Sequence, residues 1–595
     1  MSPARLRRSA LSLALLLAAA RIDAASNPKL RVEIRGLGGA MGGVLQNQTL
    51  KGSDLKQNVL SLLRIEDARR EKNLTERRIR QLHARAPDEI RRALQPFGFY
   101  RPTIDASLER EGDTWVARYD IDPGAPIRLQ SVDVAVAGEG ATDWGFRTAV
   151  GDFPLRPGDV LNHAAYESGK AAFEAMAGEI GYLDGKFETA QIQIDVEAYT
   201  SRIVLHYDTG PRYLFGPVAF RQDFLNPKLL RGYVNWEEGE PLNQNKLLAL
   251  QTALSDSPYF RRVEVITDRA RTSGLEVPIE VDLEASKKRR YQFGLGYGTD
   301  TGPRGTVRAE YRRINRHGDH AEAEIRVSAI EQSIVARYLI PGAYPRTDVL
   351  TFTTGYGHLS PATSDTKAAL AGADYSFALG RWRQGFSLTF TRERFTVGID
   401  DGVSHLLAPG SSTSLVVADD RIDARNGYRL LLKLSGAKDG FLSNATYAQA
   451  VASAKRIVSF AGSNRLIGRV DVGATATSDF RRLPPRVRFF AGGDVSVRGY
   501  KFQSLGELDE RGHVIGGKYL EVASLEAEHR FLPKWGAAVF FDAGNAANRL
   551  TSSLKKGVGA GIRWISPIGP VRVDGAYALD PPRGVRLHVN IGPDL

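Results

Sequence analysis

The chain has 595 residues, a formal net charge of +12, 42% hydrophobic and 25% charged residues, 60 Gly, 28 Pro and no Cys. Its apolar content suffices for packed cores, which excludes wholesale disorder, and the lack of Cys excludes a disulfide framework, a thiolate metal site and a Cys nucleophile. Lys and Arg number 80 against 68 Asp and Glu and are spread along the chain without an aromatic-interleaved basic run, so the positive balance by itself does not point to nucleic acid or anionic lipid.

Arg5, Arg7 and Arg8 precede an apolar stretch from Ser9 to Ala20, and Ile22-Asp23-Ala24-Ala25 ends in small residues. This is the pattern of a secretion signal over residues 1–25, cleaved after Ala24 or Ala25. About twelve apolar residues are too few to span a bilayer, and no later run of ~18 appears. The mature chain is expected outside the cytoplasm without a helical anchor.

From Lys29 to Lys287 a unit recurs. Helical stretches end in Phe97-Gly98-Phe99-Tyr100, then in Gly181-Tyr182-Leu183, then in Ser257-Pro258-Tyr259-Phe260, at spacings of 83 and 77 residues. A near-constant period marks duplicated units. Each starts with a strand, such as Leu30–Ile34 or Ile127–Val132. Helices come next, with apolar residues three and four apart: Ile79, Leu82, Ile90 and Leu94, or Leu247, Leu248 and Leu254. Two alternating strands close the unit, as at Ile192, Ile194 and Val196, then Ile203, Leu205 and Tyr207. The order is β-α-α-β-β, expected over residues 26–124, 125–210 and 211–287. Open sheet edges in such small units are templates for an extended chain; rigid spacers are the alternative.

After about Arg290 the pattern changes to period two. Phe386, Leu388 and Phe390 alternate with Ser387, Thr389 and Thr391, and Val585, Leu587, Val589 and Ile591 alternate with Arg586, His588 and Asn590. One face is then apolar and the other polar. A soluble sandwich alternates likewise. Secretion, segments near ten residues and aromatics at segment ends favour a transmembrane antiparallel β-barrel over 288–595, of about 16 strands.

The most informative string is Gly492-Gly493-Asp494-Val495-Ser496-Val497-Arg498-Gly499-Tyr500. Gly493 and Gly499 allow sharp turns. Arg498, if buried in a lumen, requires an acidic partner, and Asp542 and Glu526 lie downstream on alternating segments; an ordinary pore-lining arginine is the alternative. Gly294-Leu295-Gly296-Tyr297-Gly298 and Gly557-Val558-Gly559-Ala560-Gly561 read as strand glycines, since neither opens a helix. No metal-ligand or nucleophile pattern appears among the His, Ser and Asp residues, so no enzyme, cofactor or metal is expected.

The Gly-aromatic helix ends, with the joints Asp122-Pro123-Gly124-Ala125-Pro126 and Thr209–Gly216, resemble POTRA domains. The strings around Arg498, Glu526 and Asp542 resemble the BamA/TamA superfamily of outer-membrane barrels. That resemblance implies a loop folded into the lumen with tip residues Gly493, Val497, Arg498, Gly499 and Tyr500, its arginine held by Asp542 and Glu526. Three POTRA units, the end Ile591-Gly592-Pro593-Asp594-Leu595, Arg486–Asp494 and Gly561–Val571 are similar to the TamA family, outer-membrane subunits of translocation and assembly modules. The resemblance implies an outer-membrane insertase with periplasmic POTRA domains. It also implies a TamB-like inner-membrane-anchored partner, unfolded outer-membrane clients such as autotransporters, contact with the lipid bilayer, and room for a role in moving phospholipid. The first strand (Tyr291, Leu295, Tyr297) is expected to meet the last (Val585, Leu587, Val589, Gly592) and close the barrel at a seam weakened by glycine. A two-partner-type secretion pore for a dedicated protein is the rival reading, and a passive porin a second.

Overall fold

The structure, a computed structural model, describes residues 28–37, 52–420, 423–550, 553–566 and 569–591. The expected signal segment 1–25, most of the glycine-rich stretch after Gly36, and Gly592 lie outside the described residues. Two compact units make up the chain: residues 1–217 with 237–245 and 269–277, and residues 218–236, 246–268 and 278–595.

The N-terminal half forms three α+β repeats. The first has strand β1 (Lys29–Arg35), helices α1 (Gly52–Leu62), α2 (Arg64–Asp67) and α3 (Glu76–Leu94), and strands β2 (Thr103–Glu111) and β3 (Thr114–Asp122). The second has β4 (Arg128–Ala137), α4 (Trp144–Gly151), α5 (His163–Ile180), β5 (Lys186–Asp195) and β6 (Thr200–Asp208). The third has β7 (Leu214–Arg221), α6 (Pro227–Arg231), α7 (Gln244–Ser255), β8 (Phe260–Thr267) and β9 (Glu276–Ala285). In each sheet the last strand is central, giving the orders β1-β3-β2, β4-β6-β5 and β7-β9-β8. The first strand of each of the first two repeats pairs with that central strand in parallel.

Helix α3 shows why the pattern folds so. Thr75 caps it, its hydroxyl accepting from Arg78 N–H at 3.3 Å. Ile79, Leu82, Ile90 and Leu94 form one buried stripe packed on Tyr119 and Ile121 of the sheet. Burying four such side chains contributes roughly 6–12 kcal/mol against exposure, and Leu82→Ala alone would remove about 2–5 kcal/mol. In α7 Leu247 and Leu254 are buried as expected, but Leu248 is 57% exposed: it falls off the stripe by one residue, about 100° of helix.

The recurrent Gly-aromatic stop has a structural reason in the first two repeats. The carbonyl of Gly98 accepts the N–H of Ile127 at 2.8 Å, and that of Gly181 accepts the N–H of Tyr213 at 2.9 Å. Each helix end thus receives the first strand region of the next repeat. A Cβ at Gly98 would stand 2.7 Å from Leu161 O, and one at Gly181 2.6 Å from Leu242 O. The third stop lacks glycine, and the third repeat meets the chain beyond it through other groups. Tyr259 donates its hydroxyl to Gly318 O at 2.6 Å, and Asn226 N–H donates to Arg316 O at 2.8 Å.

The C-terminal half is one sixteen-stranded antiparallel sheet. Its first eight strands are β10 (Arg289–Gly298), β11 (Gly302–Tyr311), β12 (His320–Ser328), β13 (Glu331–Pro341), β14 (Val349–Leu359), β15 (Ser364–Leu379), β16 (Trp382–Val397) and β17 (Asp400–Ala418). Next come β18 (Gly427–Ala437), β19 (Tyr447–Phe460) and β20 (Asn464–Thr477). A forty-one-residue excursion, residues 478–518, carries the short pair β21 (Glu507–Leu508) and β22 (Val514–Gly516). The sheet resumes with β23 (Tyr519–Leu532), β24 (Trp535–Ala547), β25 (Lys555–Ser566), β26 (Gly569–Ala578) and β27 (Gly584–Ile591). Alternation sorts the faces: Phe293, Ile325, Val327, Phe352, Tyr356, Phe386 and Leu388 are exposed on the outside, while Glu324, Glu393, Arg465, Glu526, Asp542 and Arg563 are buried within. Backbone polar groups in such a wall are satisfied between strands, which is what hydrocarbon demands. No described helix is long and apolar enough to cross a membrane.

One expectation is corrected. β10 and β27 are the two ends of the strand order, and among the described residues no ladder joins them. They approach to within 8 Å between Cα atoms in places, so the sheet is rolled nearly shut but not hydrogen-bonded shut along the seam.

Candidate functional site: the lumen loop and the barrel seam

The excursion between β20 and β23 turns into the barrel. Gly499 has φ +98°, and a Cβ there would stand 2.9 Å from Ala578 N; only glycine lets the loop lie this close to β26. Val497 and Tyr500 are buried with Ala491, Leu505, Val522 and Ala578. The Tyr500 hydroxyl sits 3.1 Å from Lys556 O and 3.0 Å from Asp580 O. Gly493 has φ +106°.

Between these residues Arg498 is fixed on every side. Its Nε and Nη2 donate to the two oxygens of Asp542 at 2.8 and 3.0 Å, and its own backbone N–H donates to Asp542 Oδ2 at 3.0 Å. Nη1 donates to Glu526 Oε2 at 2.7 Å and to Asp574 Oδ2 at 3.0 Å. The guanidinium carbon lies 3.4 Å from the centroid of the Phe540 ring. The bidentate fork and the aromatic face are features a lysine could not reproduce.

Sequence points to Asp542 and Glu526 but not to their neighbours. Arg563 donates to Glu526 Oε1 at 2.6 Å, to Glu528 Oε1 at 3.0 Å and to Asp574 Oδ1 at 2.5 Å; Arg465 also pairs with Glu528. Glu526 and Asp574 therefore each lie between two arginines. Four carboxylates on β23, β24 and β26 accept from three arginines, of which Arg498 alone comes from the loop. Inward parity on each strand marks these residues as lumenal, and that is the signal sequence offers for them.

A second anchor holds the root of the loop. Arg488, 4% exposed, donates to Asp400 Oδ2 at 3.0 Å, Leu483 O at 2.8 Å, Ile515 O at 3.1 Å and Arg481 O at 2.9 Å. It lies over the Phe480 ring. Asp400 opens β17, so the loop root is tied to a wall distant in sequence.

The third attachment is at the seam. Asp494 receives the Thr299 hydroxyl at 2.9 Å and lies 2.5 Å from His588 Nδ1, and its N–H donates to Asp300 Oδ2 at 2.7 Å. Thr299 Oγ1 accepts the N–H of Val589 at 3.1 Å. Thr299 and Asp300 come just after the first strand, His588 and Val589 belong to the last, and Asp494 is on the loop. One side-chain network thus replaces the missing ladder. Asp300, Asp494 and His588 bring ligand-type atoms within 4.8 Å of one another, a spacing a metal ion would accept. The protons favour a hydrogen-bonded reading. Gly499 N–H donates to His588 Nε2 at 2.9 Å, so Nδ1 carries the proton and points it at Asp494. Of the expected seam residues, Tyr291, Leu295, Tyr297, Val585 and Leu587 are 61%, 96%, 52%, 76% and 58% exposed on the outer wall. Thr299 rather than Leu295 is level with Val589.

Repeats of three-stranded sheets leading into a sixteen-strand wall with a pinned lumenal loop define the class of POTRA-bearing outer-membrane barrels. Residues 350–594 match the Omp85 superfamily domain, and residues 46–123 match the POTRA domain, TamA domain 1. Over 131 residues the chain is 35% identical to the outer membrane protein assembly factor BamA of Nitratidesulfovibrio vulgaris, which is 21% of this chain and 17% of that protein's length. The crystal structure of BamA from Haemophilus ducreyi lacking POTRA domains 1–3 has the same fold: TM-score 0.60, 16% identity, 78% of this chain and 99% of that one. CdiB from Acinetobacter baumannii is similar at a TM-score of 0.45 and 12% identity, over 78% of this chain and 90% of that one. Residues 350–594 thus carry an Omp85 superfamily domain and residues 46–123 a TamA-type POTRA domain. The barrel lies in the outer membrane and the POTRA domains in the periplasm.

Proposed function

We propose that the protein inserts β-barrel clients into the outer membrane by sideways opening of the seam between β10 and β27. The observation that carries this is the seam itself: two edge strands lie side by side with no ladder among the described residues and are bridged by the Thr299, Asp494, His588 and Val589 network. An edge so held presents unpaired backbone groups once the bridge parts, and an incoming strand satisfies them by augmentation. Strand pairing and burial of the client's apolar face in lipid supply the driving force. The TamA-type first POTRA domain supports a TamB-like inner-membrane-anchored partner at that end, with autotransporters among the clients and a contribution to phospholipid delivery.

The test is a disulfide across the seam. Thr299 level with Val589 on antiparallel strands puts Tyr297 level with Ile591, both facing outward, so the variant is Y297C/I591C. Oxidation should abolish client insertion into vesicles and reduction should restore it, with the barrel remaining heat-modifiable on gels in both states. Full insertion by the crosslinked protein would remove the lateral-opening reading.

A further inference from the structure

A trough of about 870 Å³ is cut into the lipid-facing wall of β10–β17 beside the seam. Its floor is alanine: the register runs from Tyr291 to Ala309, Ala323 and Ala336, and on through Thr354 to Ala371. Tyr311, Tyr338 and Phe352 stand along it. Parity places this row outside. On β12 Ile325 and Val327, which share the face of Ala323, are exposed, while the intervening Glu324 is 4% exposed. At the mouth is Arg289, which lines the trough and lies 5.8 Å from the Tyr311 ring centroid. It starts β10, directly after β9 along the chain, and so sits at the periplasmic edge of the membrane. Lys287, Lys288, Arg289 and Arg290 are four consecutive exposed cations, and none has an ion-pair partner among the described residues.

We infer that this trough is a binding site for an anionic glycerophospholipid of the periplasmic leaflet, one acyl chain on the alanine floor and the phosphate against Arg289 and its neighbours. Two features select that occupant. The N–H and C=O groups beneath the trough are used in the ladders from β10 to β17, so a client strand finds nothing there to pair with, whereas an acyl chain needs no partner. Arg289 at the mouth makes no ion pair among the described residues, although Glu310 and Glu322 also line the trough, and a phosphate at the interface supplies a counter-charge that a zwitterionic headgroup compensates less fully. The inference rests on the placement of the wall in the outer membrane and is independent of insertase activity.

The experiment is native mass spectrometry of the detergent-purified full chain after exposure to equal phosphatidylglycerol and phosphatidylcholine. Wild type should retain phosphatidylglycerol several-fold over phosphatidylcholine. K288Q/R289Q should bring the ratio towards one. A323F/A336F, which fills the trough with side chains still facing lipid, should strip the retained adduct of both lipids. Adducts undiminished in A323F/A336F mean annular lipid only and overturn the site, as does a wild-type ratio of one. Should A323F/A336F fail to give a heat-modifiable barrel, K288Q/R289Q decides, and a ratio unchanged from wild type refutes the inference.

Discussion

Truncating Arg498 and truncating its partner Asp542 should not be equivalent, although they form one ion pair. In Arg498→Ala, Glu526 and Asp574 keep Arg563. Asp542, fully buried, keeps among the described residues the Ser524 hydroxyl at 2.6 Å and the loop backbone N–H. Leaving one buried carboxylate without its cation costs about 3–5 kcal/mol of loop docking. In Asp542→Ala, Arg498 retains Glu526 at 2.7 Å and Asp574 at 3.0 Å, so the cost falls to about 1–3 kcal/mol. At a factor of ten per ~1.4 kcal/mol, amide-exchange protection over residues 494–500 should drop roughly two to four orders of magnitude in Arg498→Ala and about one to two in Asp542→Ala. The double variant should lose less than the sum of the two. The sixteen-stranded sheet keeps its ladders, so the barrel stays heat-modifiable throughout. Equal or larger loss in Asp542→Ala, or strict additivity, would refute the assignment of Arg498 as the shared cation of this cluster.

Arg488→Ala should release the loop root from Asp400 and three carbonyls. Because it shares no partner with Arg498, its effect on loop exchange should add to that of Arg498→Ala within about 0.5 kcal/mol. The joint between the first two POTRA domains should weaken with acid. Tyr100 and His163 Nε2 are 2.9 Å apart, and burial holds the His163 imidazole below its ordinary value against a smaller opposing pull from Glu167. A folded value below the unfolded ~6.5 means that this stability is present above ~6.5 and lost as pH falls through the folded value. Protease cleavage between residues 98 and 127 should therefore rise on going from about pH 7.5 to about pH 5 in wild type, and His163→Gln should flatten that dependence.

How much of this could be read from sequence depends on what each feature is made of. Period-two alternation and the recurrent helix stops carry the barrel and the repeats, because both are written in side-chain polarity. The pairing of Arg498 with Asp542 and Glu526 is foreshadowed because a glycine-bracketed arginine in a long excursion must find acids on neighbouring strands. Asp574 and Arg563 are not, although both face inward: parity fixes the face of a strand, while the level at which two inward residues meet is set by stagger accumulated across the sheet. Arg488 and Asp400 are 88 residues apart with several strands between them, and nothing local joins them. The glycines of β10 mark the β10–β27 junction as weak, but the absence of a ladder among the described residues is a matter of backbone spacing that side chains do not encode.

Hydrogen-bond energetics explain why this junction, rather than any other, would open. Separating β26 from β27 breaks a register of eight residue pairs, which at a net 0.5–1.5 kcal/mol per hydrogen bond is about 4–12 kcal/mol. In lipid the severed groups have no water to turn to, which raises the cost further. Among the described residues, parting β10 from β27 requires that Val589 N–H leave Thr299 and that Asp494 give up either His588 or its contacts with Thr299 and Asp300, two or three hydrogen bonds and about 1–4.5 kcal/mol on the same scale. Asp494 sits four residues before Arg498, so the carboxylate cluster that fixes Arg498 also fixes the height at which the bridge can form. Freeing the loop and freeing the seam are then coupled events: Arg498→Ala should weaken the bridge without touching it, and Asp494→Asn should loosen the seam while leaving Arg498 docked. Disulfide formation in Y297C/I591C under mild oxidation measures that coupling. A slower rate in Arg498→Ala than in the parent double-cysteine protein is the expected outcome, and an unchanged rate would separate the loop from the seam.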